Sequence, residues 1–346
     1  MCPPYASQEN YRKPANVHNA NPDNWVQTIN NAAAGDEIRL ADGVYPLQQY
    51  AVVLDKPLTL RSASGNRDDV IIQGQGLSVN AEALMIMAND VHIADLTVKN
   101  VRDHAISIQE TFSRAVIYNV HLKDIGTQHI KSNRGGPDSL IACSSIGYTN
   151  DTAVGDYTGA IDLHGAVNWT IRDNFIYNIW GDGSKCIVDA ECGTQFFGGG
   201  PAILIWNNAR DNTIERNTIV ESFRAIALGL DTSYSGGIVR DNFICRTQPG
   251  KQGVKKYIEG DAGISLRGAD NVSVIGNHIL INGRYRGAIE LKYSQTIRIE
   301  NNLISKKIWN KGRSTYNDCK WWFCRDEGYG NKVVQTGATL SCPTVG

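Results

Sequence analysis

Two short stretches hold the side chains best suited to proton-transfer chemistry. They are His129-Ile130-Lys131-Ser132-Asn133 and Ala160-Ile161-Asp162-Leu163-His164, each built around an Ile with polar residues at alternate positions. If both are strands with the Ile turned inward, alternation puts His129, Lys131 and Asn133 on the outer face of one. It puts Asp162 and His164 on the outer face of the other. Uronate elimination needs the substrate carboxylate neutralised, a base for the proton beside it and an acid for the leaving oxygen. Lys131 suits the first role; as a base it would need a depressed pKa, which a neighbouring Asp162 opposes. His164 or His129 is then the base or acid, with Asp162 orienting one imidazole. Trp206 offers a stacking face one coil further on, and Arg267, Glu290 and Lys292 occupy equivalent outer positions beyond it. Arg134 and Arg224 border the strip, whose cations match carboxylates along an extended polymer. Ala225, Ala227 and Gly229 leave it low relief. A solvated polar face is the plain alternative, but two ionisable residues on each of two successive segments exceed what such a face needs.

The elements that must position these residues are repeats. The pattern returns as Ala105-Ile106-Ser107-Ile108-Gln109, Ala202-Ile203-Leu204-Ile205-Trp206, Ala225-Ile226-Ala227-Leu228-Gly229, Gly263-Ile264-Ser265-Leu266-Arg267 and Ala288-Ile289-Glu290-Leu291-Lys292. Successive Ile marks lie 24, 31, 42, 23, 38 and 25 residues apart, so one bare coil takes about 24 and longer steps carry loops. A second repeat centres on Asn174, Asn217, Asn242, Asn277 and Asn302. It predicts a ladder of stacked amides at a left-handed bend. Strands without intervening helices or hairpin turns predict an all-β solenoid of stacked parallel strands, not a propeller. Asn24–Ala33 sets Trp25, Ile29 and Ala32 or Ala33 on one helical face, a cap for the open first coil. The expectation is a single domain over 1–346, with the β-helix over 20–308 and a C-terminal disulfide-bearing cover over 309–346, whose core would hold Trp321-Trp322-Phe323.

The chain has 346 residues with a formal net charge of −1, which favours neither a nucleic-acid nor a membrane-surface partner. No apolar run is long enough for a membrane span. The 8 cysteines are scattered without zinc-type histidine spacing, which favours disulfides of undetermined pairing and a secreted or periplasmic location. Met1 leads into Cys2-Pro3-Pro4 with no leader-like pattern. Sequons at Asn150, Asn168 and Asn271 decide nothing.

Gly35-Asp36-Glu37-Ile38-Arg39-Leu40-Ala41-Asp42-Gly43-Val44-Tyr45, then Lys56-Pro57-Leu58-Thr59-Leu60 and Ser64-Gly65-Asn66-Arg67-Asp68-Asp69-Val70-Ile71-Ile72, resembles the opening of pectate-lyase-like parallel β-helix proteins. The repeats extend the resemblance over about residues 20–305, and it implies a right-handed parallel β-helix. That superfamily includes polysaccharide lyases, uronate epimerases and glycoside hydrolases, so the fold does not fix the reaction. Neither a calcium-binding pectate lyase signature nor an epimerase Asp-Pro-His-Asp motif is present. The expected function is a lyase acting on an acidic polysaccharide by β-elimination. A glycoside hydrolase, a uronate epimerase and a non-catalytic glycan-binding rod remain alternatives. No cofactor is implied with certainty. A divalent cation such as Ca2+ would use Asp162, His164 and a loop carboxylate such as Asp182, Asp189 or Glu191; Glu290 lies four coils and roughly 19 Å too far from Asp162. The loop Gly181–Gly200 interrupts the coils beside this centre.

Overall fold

The computed structural model describes residues 2–9, 11–149, 158–181, 199–230, 234–247, 261–282, 287–312, 314–317, 319–320, 329–334 and 342–343. Aliphatic residues at alternate positions give each short segment one dry face, which is too small to be stable alone and is buried by stacking on its neighbours. Among the described residues three sheets result, of 13, 11 and 10 strands, here termed A, B and C. The chain visits them in turn, as in His92–Ala94 (A), Thr97–Lys99 (B) and Ile106–Ile108 (C). Pairing between coils is parallel, except where Thr315–Tyr316 meets Cys319–Lys320 antiparallel.

The Ile marks of sheet C form one buried column. Ile106, Ile130, Ile161, Ile203, Ile226, Ile264 and Ile289 are successive register partners, and Ile308 extends the column. β-Branched side chains hold one rotamer and repeat well in such a stack. The strands Lys307–Gly312 and Lys332–Val333 therefore continue sheets C and B past residue 308, where the sequence pattern fades.

The Asn ladder forms at the A-to-B corner. Asn174, Asn217, Asn242, Asn277 and Asn302 each donate Nδ2 to the Oδ1 of the next rung at 2.9–3.0 Å, and Asn331 is a sixth rung. Its phase differs from expectation. The left-handed residue is the one before each rung, namely Asp173, Arg216, Asp241, Gly276, Asn301 and Gly330. The rung itself turns its amide into the interior.

The helix Trp25–Asn31 buries Trp25 and Ile29 over the first coil, and Trp25 meets Tyr45 edge-on at 5.6 Å. Two disulfides, Cys2–Cys143 and Cys245–Cys342, resolve pairings the sequence left open. Cys186, Cys192, Cys324, Trp321, Trp322, Phe323 and the sequon at Asn150 lie outside the described residues. Among the described residues no helix is long and apolar enough to cross a membrane.

Candidate active site

Register brings the expected centre together on the outer face of sheet C. Lys131 pairs with Asp162, and His164 pairs with Trp206. Lys131 Nζ donates to Asp162 Oδ2 at 2.5 Å and to His164 Nε2 at 2.8 Å. Both partners of the ion pair are nearly closed to solvent, with side chains 8% and 5% exposed, so the attraction is little screened. Trp206 Nε1 donates to Asp162 Oδ1 at 2.9 Å, so both carboxylate oxygens are engaged.

Hydrogen bonding fixes the His164 tautomer. An ammonium only donates, so Nε2 must present its lone pair and Nδ1 must carry the ring proton. Asn207 Nδ2 is placed 2.8 Å from Nδ1, where a protonated Nδ1 offers it no acceptor, so the amide is turned over and its oxygen accepts from that proton. Burial holds the His164 pKa below its ordinary value, and the Lys131 charge pushes the same way; Asp162 opposes both. The ring is neutral near pH 7.

Several expected roles change. Asp162 does not orient the imidazole directly, since its Oδ1 is 3.6 Å from His164 Nε2; Asn207 and Lys131 do that work. Trp206 is anchored by its edge to Asp162 and tilted 57° onto His164 at 4.2 Å, which makes it a wall of the site. His129 is fully buried, because backbone covers it there: its nitrogens lie 2.9 Å from Gly159 O and 3.3 Å from Gly147 O. A neutral ring donates only once, and the shorter contact marks Nδ1 as the donor.

The cationic strip is also weaker than expected. Arg224 is paired with Asp261, and Arg267 lies 3.9 Å from Asp261 and 2.7 Å from Glu290. Glu290, expected to touch substrate, is fully buried under that pair. Lys292 lies over the Tyr293 ring at 5.4 Å. Ala225, Ala227 and Gly229 are buried, so the low patch is not an open floor. Asn133 and Arg134 are exposed as expected, and Asn133 donates to Gln109 Oε1 at 3.0 Å.

One polar row escaped sequence reasoning. Ser107, the register partner of Lys131, donates to Glu82, whose other oxygen lies 3.5 Å from His104 Nδ1. His104 Nε2 in turn lies 3.2 Å from Gln128 Oε1, and those two residues are one 24-residue coil apart. That coil period would have exposed the row had it been read through the turns as well as the strands. Asn207, just past the end of its strand, was missed for the same reason.

The described donor set does not fit a divalent cation at Asp162, because Lys131 and Trp206 occupy both its oxygens. Among the described residues no three His, Cys, Asp or Glu side chains gather as a metal site. Asp182, Asp189 and Glu191, and most of the loop containing them, lie outside the described residues.

The fold is a right-handed parallel β-helix. A profile of the right-handed β-helix region matches residues 159–319. Among solved structures, pectate lyase Pel9A is similar at 10% identity and TM-score 0.59, over 98% of this chain and 84% of that one. An alginate lyase from Paenibacillus sp. strain FPU-7 is similar at 14% identity and TM-score 0.56, over 87% of this chain and 97% of that one. The alginate lyase AlyF-OU02, solved as a complex with G6, follows at 14% identity and TM-score 0.50, over 86% and 72% respectively. No curated protein sequence matches the chain.

Proposed function

We propose that this protein is a polysaccharide lyase that cleaves a uronic-acid-containing glycan by β-elimination at Lys131 and His164. One observation carries the reading: an ammonium on the outer flank is held between a carboxylate and the lone pair of a neutral imidazole. An incoming uronate carboxylate competes for Lys131 and is neutralised by it, which acidifies the adjacent carbon. Drawing Lys131 toward substrate frees His164 Nε2, which takes the proton from that carbon. The C–H electron pair becomes the C=C bond as the β C–O bond breaks, and the imidazolium returns its proton to the departing oxygen. Asp162 holds Lys131 in place and stays a spectator to the proton. With both oxygens bonded, it is poorly suited to the nucleophile or acid role of a hydrolase, which needs a second carboxylate nearby. That solved lyases of pectate and alginate share the fold supports the class.

The test is ultraviolet absorbance of the unsaturated uronate during incubation with polyuronates and glycosaminoglycans, with added calcium and with chelator. Elimination produces the signal, whereas hydrolysis and epimerisation do not. His164→Ala is expected to lower the rate by about 10²–10⁴-fold with the fold intact by circular dichroism. A flat trace with every polymer, or full activity in His164→Ala, sinks the assignment.

A further inference from the structure

A cavity of about 540 Å³ opens where sheet C turns into sheet A, and its first lining residue, Asn208, follows the Asn207 that touches His164. A bulge creates it. Between strands Ser235–Arg240 and Ala269–Ile275 the register shifts from Ser235↔Ala269 to Gly237↔Val272, so Gly236 faces both Asp270 and Asn271. Bulges of this kind re-aim side chains beside sites. Glycine is required here: a Cβ on Gly236 would lie 2.5 Å from Asp270 O, and one on Gly237 would lie 2.2 Å from Asn212 O.

The lining has a definite chemistry. Tyr234 is 58% exposed and presents an aromatic face. Arg210 is balanced by Asp211 at 3.8 Å, which leaves the carboxylate of Asp270 in excess. Ser235 is 1% exposed and lines the cavity, yet its Oγ has no hydrogen-bond partner, and neither has Asp270 Oδ1. A wall with excess negative charge repels a uronate and accepts hydroxyl donors, while an exposed aromatic ring suits the apolar face of a sugar.

We infer that this cavity is a subsite for an uncharged sugar of the same glycan, so that the substrate is a heteropolysaccharide with neutral sugars flanking the uronate. This rests on the lyase reading for its link to cleavage.

The test uses the full chain in two arms. The first compares elimination on homopolyuronates with that on polymers alternating uronate and uncharged sugar. The expected preference is at least about tenfold in kcat/KM for the alternating polymers, reduced by Tyr234→Ala without change on homopolyuronates. Equal rates on both, with Tyr234→Ala silent, overturn the inference and leave the lyase standing. The second arm measures calorimetric binding of uncharged and uronate trisaccharides to His164→Ala protein. Uncharged trisaccharides binding about tenfold tighter than uronate ones, with that binding lost on adding Tyr234→Ala, upholds the subsite even if no polymer is cleaved. No preference between the two ligand classes overturns it.

Discussion

His129, His92 and His164 all hold their protons weakly, and each for the same first cause: burial strips water from the charged ring. For His129 and His92 the pKa falls from 6.5 to about 4. Above pH 6.5 folded and unfolded chains both keep these rings neutral, and stability is unaffected. Between 6.5 and about 4 the unfolded chain takes up protons that the folded chain refuses, so stability falls as pH drops and the loss is complete below about 4. Each such ring contributes at most about 3 kcal/mol. His129→Gln should therefore flatten the dependence of the urea midpoint on pH between 7 and 4.5; an unchanged slope would count against it. His164 titrates below its ordinary value too, so kcat/KM should rise with pH through a pKa under 6.5 and then level. Alternation made Lys131, Asp162 and His164 legible in the sequence, because it assigns a face to each residue. It could not separate His129 from them, because what lies over a face is decided by chain from another coil, here the carbonyls of Gly147 and Gly159. Nor could it show Arg224 being neutralised, since Asp261 lies outside the repeat, whereas Arg267 and Glu290 occupy outer positions of successive coils that the repeat does display.

Among the elements, the A-to-B corner carries the most regular signal and yields the sharpest prediction. Asn242 accepts the backbone N–H and the side-chain amide of Asn217 at 3.0 Å, and itself donates to Ile214 O and Asn277 Oδ1. Asn242→Ala would strand those donors and acceptors in the dry interior, at about 1–3 kcal/mol for each unsatisfied group. A fall of several kcal/mol in chemical unfolding is expected, whereas Asn207→Ala, at an exposed position, should change stability far less. Equal effects would mean that the ladder contributes little. The sequence revealed the ladder through its recurring Asn but not its phase. Asp, Asn and Gly, which precede every rung but Asn217, tolerate a left-handed backbone as readily as the rung does, so residue type did not say which of the two takes that conformation. Earlier coils place Leu96, Val120 and Ser144 at the rung position, after left-handed Asp95, Asn119 and Cys143. The corner geometry is thus common to all coils, and the amides are an addition to it.

At the scale of the whole molecule, the segments around Tyr5 and Cys342 cover parts of sheets A and B, whereas the candidate site lies on sheet C. Tyr5 packs on Ala94, Val116, Tyr118, Leu140 and Ala142 of sheet A, and its hydroxyl lies 2.6 Å from His92 Nδ1. Cys2 is tied to Cys143 on the same flank. Cys342 likewise lies against Tyr177 and Val220 of sheet B and is bonded to Cys245. Both outer faces carry apolar residues that Tyr5 and Cys342 cover, whereas the outer face of sheet C around Lys131 carries polar ones. The N-terminal segment then acts as a pinned strap, separate from the chemistry. Cys2→Ser/Cys143→Ser should lower unfolding stability by about 2–4 kcal/mol, as expected for a bridge closing a long loop. It should also raise binding of a hydrophobic dye as Val116, Tyr118 and Leu140 lose their cover. Elimination activity at low temperature should survive, because Lys131, Asp162 and His164 are held by sheet C register and not by the strap. Loss of activity before loss of structure in this variant would show that the strap on sheet A reaches the site through the interior, and that the three faces of the rod are not independent.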